Sequence, residues 1–170
     1  MRLTAFTDYG LRALMRLAGE PQRVLSTDAI AREFAISRNH LTKVVRELAA
    51  AGLVETRRGA GGGFQLARPA ETITLGNVVR VLEARQAMVE CFRADGGACV
   101  LTPRCRLKSR LAAAGRAFLA ELDRTSLAEC IYPPPAGGPA AAARKPRAEP
   151  DAAPVRRQRP ARRRDRAARR

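Results

Sequence analysis

"SRNHLTKVVRELAAAGLVETRRGAGGGFQLARP", residues 37–69, is the stretch that decides the fold. Apolar residues recur at helical spacing in its first half: Leu41, Val44, Val45 and Leu48. This spacing predicts an amphipathic helix that Ser37 caps and Gly52 ends. Two short runs with apolar residues then flank a glycine-rich turn, which predicts a β-hairpin with Arg57 and Arg58 at its tip.

Two further helices are predicted before this stretch. The first carries apolar residues at helical spacing: Phe6, Tyr9, Ala13, Leu14 and Leu17. Gly19 and Pro21 should end it. The second is short, and either Ser26 or Thr27 can cap it, with Asp28 favourably placed at the positive end of the helix.

A short helix, a tight turn and a second helix with a basic outer face predict a helix-turn-helix, and the hairpin that follows predicts a wing. The expected DNA contacts are Ser37, Arg38, Asn39, Thr42, Lys43, Arg46, Arg57, Arg58, Gly61 and Gly62. Arginine and lysine can pair with guanine edges or phosphates, asparagine can pair with adenine, and glycine allows close approach to the backbone. A merely solvated charged face is the alternative. A nucleotide-binding loop is disfavoured because the glycines lack a following Lys-Ser/Thr.

The second half of the chain predicts two more helices. "ITLGNVVRVLEA", residues 73–84, reads as a short helix that Thr74 caps. From Arg106 to about Asp123 the apolar residues are spaced almost as a heptad seam: Leu107, Leu111, Ala114, Phe118 and Leu122. Such a helix predicts pairing with a second copy of the chain, as a palindromic DNA site requires. Folding back onto its own domain is the alternative.

Three of the four cysteines stand in the irregular stretch between these two helices. Seven residues separate Cys91 from Cys99, and five separate Cys99 from Cys105. This is not the paired spacing of a zinc ribbon, but a flexible loop with wide gaps can wrap an iron–sulfur cluster. Basic residues nearby should favour thiolates: Arg93, Arg104, Arg106 and Lys108. Inert or free thiols are the alternative.

Charge and composition divide the chain into three parts. We expect a DNA-binding domain over 1–82, a cluster-binding loop with a dimerisation helix over 83–130, and a disordered basic tail over 131–170. The last segment has 12 basic and three acidic residues and eight of the 11 prolines, and it lacks the apolar side chains for a core. No apolar run predicts a membrane span and no signal peptide is evident, so we expect a cytoplasmic protein. The chain has one histidine, His40, and no candidate nucleophile stands beside it, which argues against an enzyme.

Several separate segments together resemble the Rrf-type winged-helix regulators, and most closely their nitric-oxide-sensing repressors. They are residues 3–18, 36–67 and 73–83, followed by the C-x₇-C-x₅-C loop. The resemblance implies a homodimer with one iron–sulfur cluster per subunit, expected as 4Fe-4S with 2Fe-2S as the alternative. It implies Cys91, Cys99 and Cys105 as ligands, with Asp8 of the partner subunit as the fourth. The related regulators of cluster assembly use a histidine where this chain has Lys108.

The function expected from these features is that of a nitric-oxide-sensitive transcriptional repressor. It would bind palindromic promoter DNA as a cluster-loaded homodimer and release it when nitric oxide reacts with the cluster. One alternative is a sister regulator that senses iron–sulfur or redox status through the same loop. Another is a metal-free or zinc-stabilised DNA-binding protein.

Overall fold

The computed structural model describes residues 2–101 and 104–132. The helices in this part are α1 (Ala5–Ala18), α2 (Thr27–Glu33), α3 (Arg38–Ala50), α4 (Leu75–Leu82) and α5 (Arg106–Leu122). An antiparallel hairpin joins β1 (Val54–Arg57) to β2 (Gly63–Leu66), and short 3₁₀ helices span Ala70–Thr72, Glu90–Phe92 and Leu127–Cys130. The predicted fold class, mainly helical with a small β-hairpin wing, is confirmed. The expected tail lies almost wholly outside the described residues.

Side-chain caps fix the start of most of the predicted helices. The hydroxyls of Thr4, Ser26 and Thr74 each accept a hydrogen bond from a backbone N–H in the first turn of α1, α2 and α4. Ser37 does stand at the N-cap position of α3, but its side chain makes no capping hydrogen bond. Ser37 therefore occupies the predicted N-cap position of α3, but the prediction that its side chain makes the capping hydrogen bond is wrong. Its hydroxyl is exposed and free to contact a ligand.

The core lies where α1 crosses α3 and α4. The largest fully buried side chains include Leu14, Leu17, Leu41, Leu48 and Phe64, so the predicted stripes of α1 and α3 face each other. Gly10 lies at the crossing: a Cβ there would overlap Leu82 Cδ1 and lie 3.2 Å from Val44 Cγ1. The missing side chain lets the backbone of α1 approach both helices closely.

The hairpin is joined to the start of the helix-turn-helix by one additional bridge. The backbone N–H groups of Leu25 and Phe64 donate to each other's carbonyls at 3.0 and 2.9 Å. A Cβ on Gly63 would collide with the backbone of Leu25, so this close approach requires glycine. The wing is thereby fixed relative to α2, which begins two residues after Leu25.

The long helix α5 is anchored to its own domain at its C-terminal end. The Asp123 carboxylate pairs with both terminal nitrogens of Arg80 on α4. Beyond the helix, Leu127 donates its N–H to the Ile73 carbonyl at 2.7 Å and is fully buried. Yet no side chain of α5 itself is buried within the single chain, and Leu107 is 61% exposed. Within the described residues, no helix has the length and apolar character needed to cross a bilayer.

Candidate DNA-binding surface and cysteine loop

One face of α3 is polar, basic and open to solvent. All six side chains that the sequence assigned to DNA at this helix are exposed: Ser37, Arg38, Asn39, Thr42, Lys43 and Arg46. The opposite face supplies the buried stripe, so the helix is held against the core while its cations point outward. The turn before α3 is tight enough to put Ala35 in the left-handed region, with φ 54°. The arrangement presents α3 as a helix-turn-helix presents its second helix to a major groove.

The wing holds two further cations at its tip. Arg57 ends β1 and Arg58 follows it, and both are exposed. The nearest carboxylate to Arg57 is that of Glu55, at 3.9 Å, so its guanidinium remains available to a phosphate. Gly61 has φ 76°, and a Cβ on Gly62 would lie 2.6 Å from the Arg57 carbonyl oxygen. These two glycines are thus required by the turn itself, a reason for glycine that the sequence reading did not include.

The three predicted cluster ligands lie in the loop between α4 and α5. Cys91, Cys99 and Cys105 are all partly buried, and none forms a disulfide. Cys91 lies in the short 3₁₀ turn, and Cys105 immediately precedes α5. The loop reverses at Gly96 and Gly97, both with positive φ. Three free thiols are therefore confined to one connection of the fold.

The thiols do not by themselves form a metal cage. Across 2–101 and 104–132, no three histidine, cysteine, aspartate or glutamate side chains are grouped closely enough to hold a metal ion. The chemistry of the donors still fits an iron–sulfur cluster, because thiolates are the soft ligands that such clusters take. Three such donors from one chain also leave room for a fourth from a partner.

One of the basic residues expected to favour the thiolates is already paired. The guanidinium of Arg93 donates to both carboxylate oxygens of Asp95, at 3.1 and 2.7 Å. This ion pair raises the pKa of Arg93; together with the N–H of Gly97, it lowers the pKa of Asp95. The positive charge of Arg93 is therefore largely compensated by Asp95, and it favours the cysteine thiolates less than the sequence predicts.

Asp8 lies in the first turn of α1, on a face that points away from the core. Its carboxylate pairs with Arg12 one turn later, at 2.7 Å, and about half of each side chain is exposed. A surface ion pair of this kind contributes little stability, so little is lost if the carboxylate binds elsewhere.

A hydrogen-bonded link that sequence reasoning missed connects the cysteine loop to α1. Glu83, the residue after α4, accepts three hydrogen bonds on Oε1: from the Thr4 N–H at 2.8 Å, the Thr4 hydroxyl at 2.9 Å and the Thr7 hydroxyl at 2.5 Å. Thr7 is fully buried. The loop that carries the cysteines therefore starts at a residue bonded to the same turn of α1 that carries Asp8. These partners are 76 or more positions apart in the chain, and no local pattern reveals such a pairing.

An open groove runs between α4, α5 and the start of the cysteine loop. Its volume is about 680 Å³. Its apolar lining includes Val79, Met88, Phe92, Leu111 and Leu119.

The buried three-helix core, the outward basic face of α3 and the hairpin define the class of winged helix-turn-helix regulators. A profile of the Rrf2 family, described as iron-dependent transcriptional regulators, matches residues 3–133. The chain belongs to this family, whose members are transcriptional regulators.

Solved structures of similar proteins agree with this placement. The oxidised form of CymR from Staphylococcus aureus is 30% identical, with a TM-score of 0.57; the match covers 75% of this chain and 94% of that one. CymR of B. subtilis, described as the global cysteine regulator, is 30% identical with a TM-score of 0.56, over 75% and 93% of the two chains. IscR of T. potens is 27% identical with a TM-score of 0.60, over 76% and 85%.

Proposed function

We propose that this regulator is a nitric-oxide-sensitive repressor of the NsrR type, which binds promoter DNA as a homodimer with one iron–sulfur cluster per subunit. The observation that carries the proposal is the set of three free, partly buried thiols in one loop. That loop begins at Glu83, which is bonded to α1, so a change in the loop has a direct route to the DNA-binding half.

DNA recognition is assigned to α3 and the wing. Arg38, Asn39 and Lys43 would read base edges in the major groove, while Arg57 and Arg58 would contact the backbone or minor groove beside it. The bridge between Leu25 and Phe64 keeps the wing in a fixed relation to the helix-turn-helix. A rigid module of this kind positions both elements on one half-site.

The dimer is assigned to α5 and the adjacent groove. No side chain of this 17-residue helix is buried, its large apolar residues are at most partly covered, and Leu107 is 61% exposed, so a second copy of the chain would cover them. Two-fold pairing would place two α3 helices on the two halves of a palindromic site.

The cluster would be held by Cys91, Cys99 and Cys105, with Asp8 of the partner subunit as the fourth ligand, most simply as 4Fe-4S with 2Fe-2S as the alternative. When bound, it supplies iron to which nitric oxide can bind. The protein contributes by positioning the ligands. A carboxylate is a harder ligand than a thiolate, and Asp8 would give up its ion pair with Arg12 in order to bind the cluster. Release of Asp8 would free the first turn of α1 in one subunit.

The proposal is tested by the iron and sulfide content of protein purified without air. Cys91→Ser, Cys99→Ser and Cys105→Ser should each lose most of the cluster, whereas Cys130→Ser is the matched control and should keep it. The Cys130 thiol is also free and partly buried, but it lies beyond α5. Wild-type protein without iron or sulfide, or equal loss in all four variants, would contradict the cluster assignment.

A second candidate is a regulator that responds to thiol redox state through the same loop. It is favoured by the free thiols of the loop and by the 30% identity to CymR. Loss of operator binding on mild oxidation of an iron-free protein, reversed by a dithiol, would support this candidate over the first.

A further inference from the structure

A second, smaller groove lies beside the basic face of α3, where this helix meets the end of α4. Its volume is about 490 Å³. Two cations of the α3 face, Lys43 and Arg46, line it together with Arg85, a residue that the sequence did not assign to DNA. Glu47 adds one carboxylate to the lining, so its charged side chains are three cations and one anion. The groove therefore joins the DNA-binding helix to the segment that leads to the cysteines, and it is suited to an anion.

The backbone that carries Arg85 is held in place beside α3. Leu82, the last residue of α4, is buried in the core. In the turn that follows, the Gln86 N–H donates to the Glu83 carbonyl at 2.8 Å, and the Glu83 carboxylate is hydrogen-bonded to the start of α1. The Arg85 side chain, in contrast, is 86% exposed. Its guanidinium can therefore change partners without any rearrangement of the fold.

The guanidinium of Arg85 has only a weak partner in the single chain. Its Nη2 atom lies 3.5 Å from Oε1 of Glu47, and the Glu47 side chain is itself 42% exposed. An ion pair between two exposed side chains contributes little stability. The guanidinium fork also matches the geometry of a phosphate. Exchange of Glu47 for a phosphate group should therefore cost little.

We propose that Arg46 and Arg85 together bind a backbone phosphate of the operator in this groove, at the flank of the half-site that α3 reads. The proposal rests on the DNA-binding part of the proposed function and deepens it. In a helix-turn-helix the N-terminal residues of the second helix contact the base edges, which leaves a cation further along α3, such as Arg46, for the flanking backbone. Arg85 precedes Cys91 by six residues, so the contact brings the segment that leads to the cysteines onto the DNA.

The contact should be electrostatic and independent of base sequence. Each neutralised phosphate adds about 0.9 to the slope of log K against log salt, the salt slope. The loss of one hydrogen bond to a charged group corresponds to a change in affinity of about tenfold. Arg85→Gln should therefore bind operator and scrambled duplexes about tenfold more weakly at low salt, with about one unit less salt slope and the operator preference retained.

Fluorescence anisotropy between about 50 and 200 mM salt tests this with full-length protein purified without air. The operator probe is a duplex that the wild-type protein selects from random-sequence DNA, and the second probe is its scrambled version. Arg124→Gln is the matched control, because its guanidinium also lies 3.5 Å from a carboxylate, that of Glu121, and its side chain is 79% exposed. It stands just after α5 and should behave as wild type. Wild-type affinity and salt slope in Arg85→Gln would overturn the proposal, as would a lost operator preference with an unchanged slope.

The exchange of partners is tested by adding Glu47→Gln to the wild type and to Arg85→Gln. Removal of the carboxylate should strengthen DNA binding more when Arg85 is present, because Glu47 then no longer competes with the phosphate for its guanidinium. Equal gains in the two backgrounds would contradict this exchange. Thermal unfolding checks that each variant is folded. If the wild-type protein selects no duplex, the proposed function fails; if it does and Arg85→Gln equals it, only the present inference fails.

Discussion

The Oε1 atom of Glu83 accepts a hydrogen bond from the fully buried hydroxyl of Thr7 at 2.5 Å. This contact, together with the two from Thr4, joins the end of α4 to the first turn of α1. Because α1 packs on α3, the loop that starts after Glu83 is two contacts away from the DNA-binding helix. This hydrogen-bonded link joins the cysteine loop to the DNA-binding half, and a change at either end alters the contacts at the other, as coupling between two sites requires.

Thr7→Val should weaken this coupling while filling nearly the same volume. The substitution removes one hydrogen bond to a charged group, worth about 1.5–3 kcal/mol before any gain from burying a methyl group. We expect faster amide hydrogen exchange in the first turns of α1 and a smaller ratio between operator affinities without and with nitric oxide. Thr72→Val, at an exposed threonine whose hydroxyl bonds the Pro69 carbonyl, is the control. An unchanged ratio in Thr7→Val would show that the link does not carry the signal.

Asp8→Ala tests the ligand assigned from the partner subunit. Asp28→Ala is a close control, because both aspartates occupy the first turn of a helix and pair with an arginine one turn later. Each change should cost no more than about 0.5 kcal/mol of stability. Only Asp8→Ala should make the cluster less stable and alter the response of DNA binding to nitric oxide. Equal behaviour of the two variants would remove Asp8 from the site.

Substitutions on α3 and the wing should separate base reading from backbone contact. Asn39→Ala should cost about 1–3 kcal/mol on the operator and relax the preference at one base pair. Arg58→Ala should weaken binding to all duplexes and reduce the salt slope by about one. Arg124→Ala, at an exposed arginine just after α5, serves as the control. Loss of sequence preference in Arg58→Ala with an intact salt slope would reverse these assignments.

The ion pair between Arg80 and Asp123 should make the attachment of α5 dependent on pH. Its hydrogen bonds lower the pKa of Asp123 in the folded chain. Because the pKa of this carboxyl is lower in the folded chain than in the unfolded chain, the ion pair stabilises the fold fully above the unfolded-state pKa. This stabilisation is lost as the pH falls through the folded-state pKa. The thermal midpoint of wild type should therefore drop in acid more than that of Asp123→Asn. Parallel acid profiles for the two proteins would contradict this.

Gly76→Ala should loosen the same attachment by a steric route. A Cβ at this position would lie 2.9 Å from the Leu119 carbonyl oxygen and overlap the Asp123 carboxylate. Overpacking of this kind typically costs about 1–3 kcal/mol, which exceeds the gain of about 1 kcal/mol from replacing glycine in a helix. Chemical denaturation should show a net loss of stability, and a more stable variant would mean that α4 and α5 are less tightly packed than described.

The helices and the hairpin could be predicted because their signals are local. The stripe of Leu41 to Leu48, the cap at Thr74 and the glycine-rich turn each lie within a few residues of the element that they define. The bridge from Leu25 to Phe64 and the bonds to Glu83 join residues far apart in the chain, so no periodicity encodes them. Whether Ser37 would use its hydroxyl as a cap depended on a rotamer that the sequence does not specify.

The candidate site could be predicted only in part, for a related reason. The exposed face of α3 follows from its buried stripe, since one face of a helix determines the other. Whether Cys91, Cys99 and Cys105 group around the proposed cluster does not follow from their spacing, because the proposed fourth ligand, Asp8, would come from a second copy of the chain. Within residues 2–101 and 104–132, the three thiols share one loop and no group of side chains is close enough to hold a metal ion.

The most direct test of the account is a nitric oxide titration of anaerobically purified wild-type protein, with visible absorbance and operator binding followed in the same samples. We expect an iron–sulfur absorbance that falls in parallel with operator binding as nitric oxide is added. Absorbance and operator binding should be lost together both in the full-length protein and in protein lacking residues 133–170. A colourless protein, or one whose operator binding persists after the absorbance is gone, would contradict it.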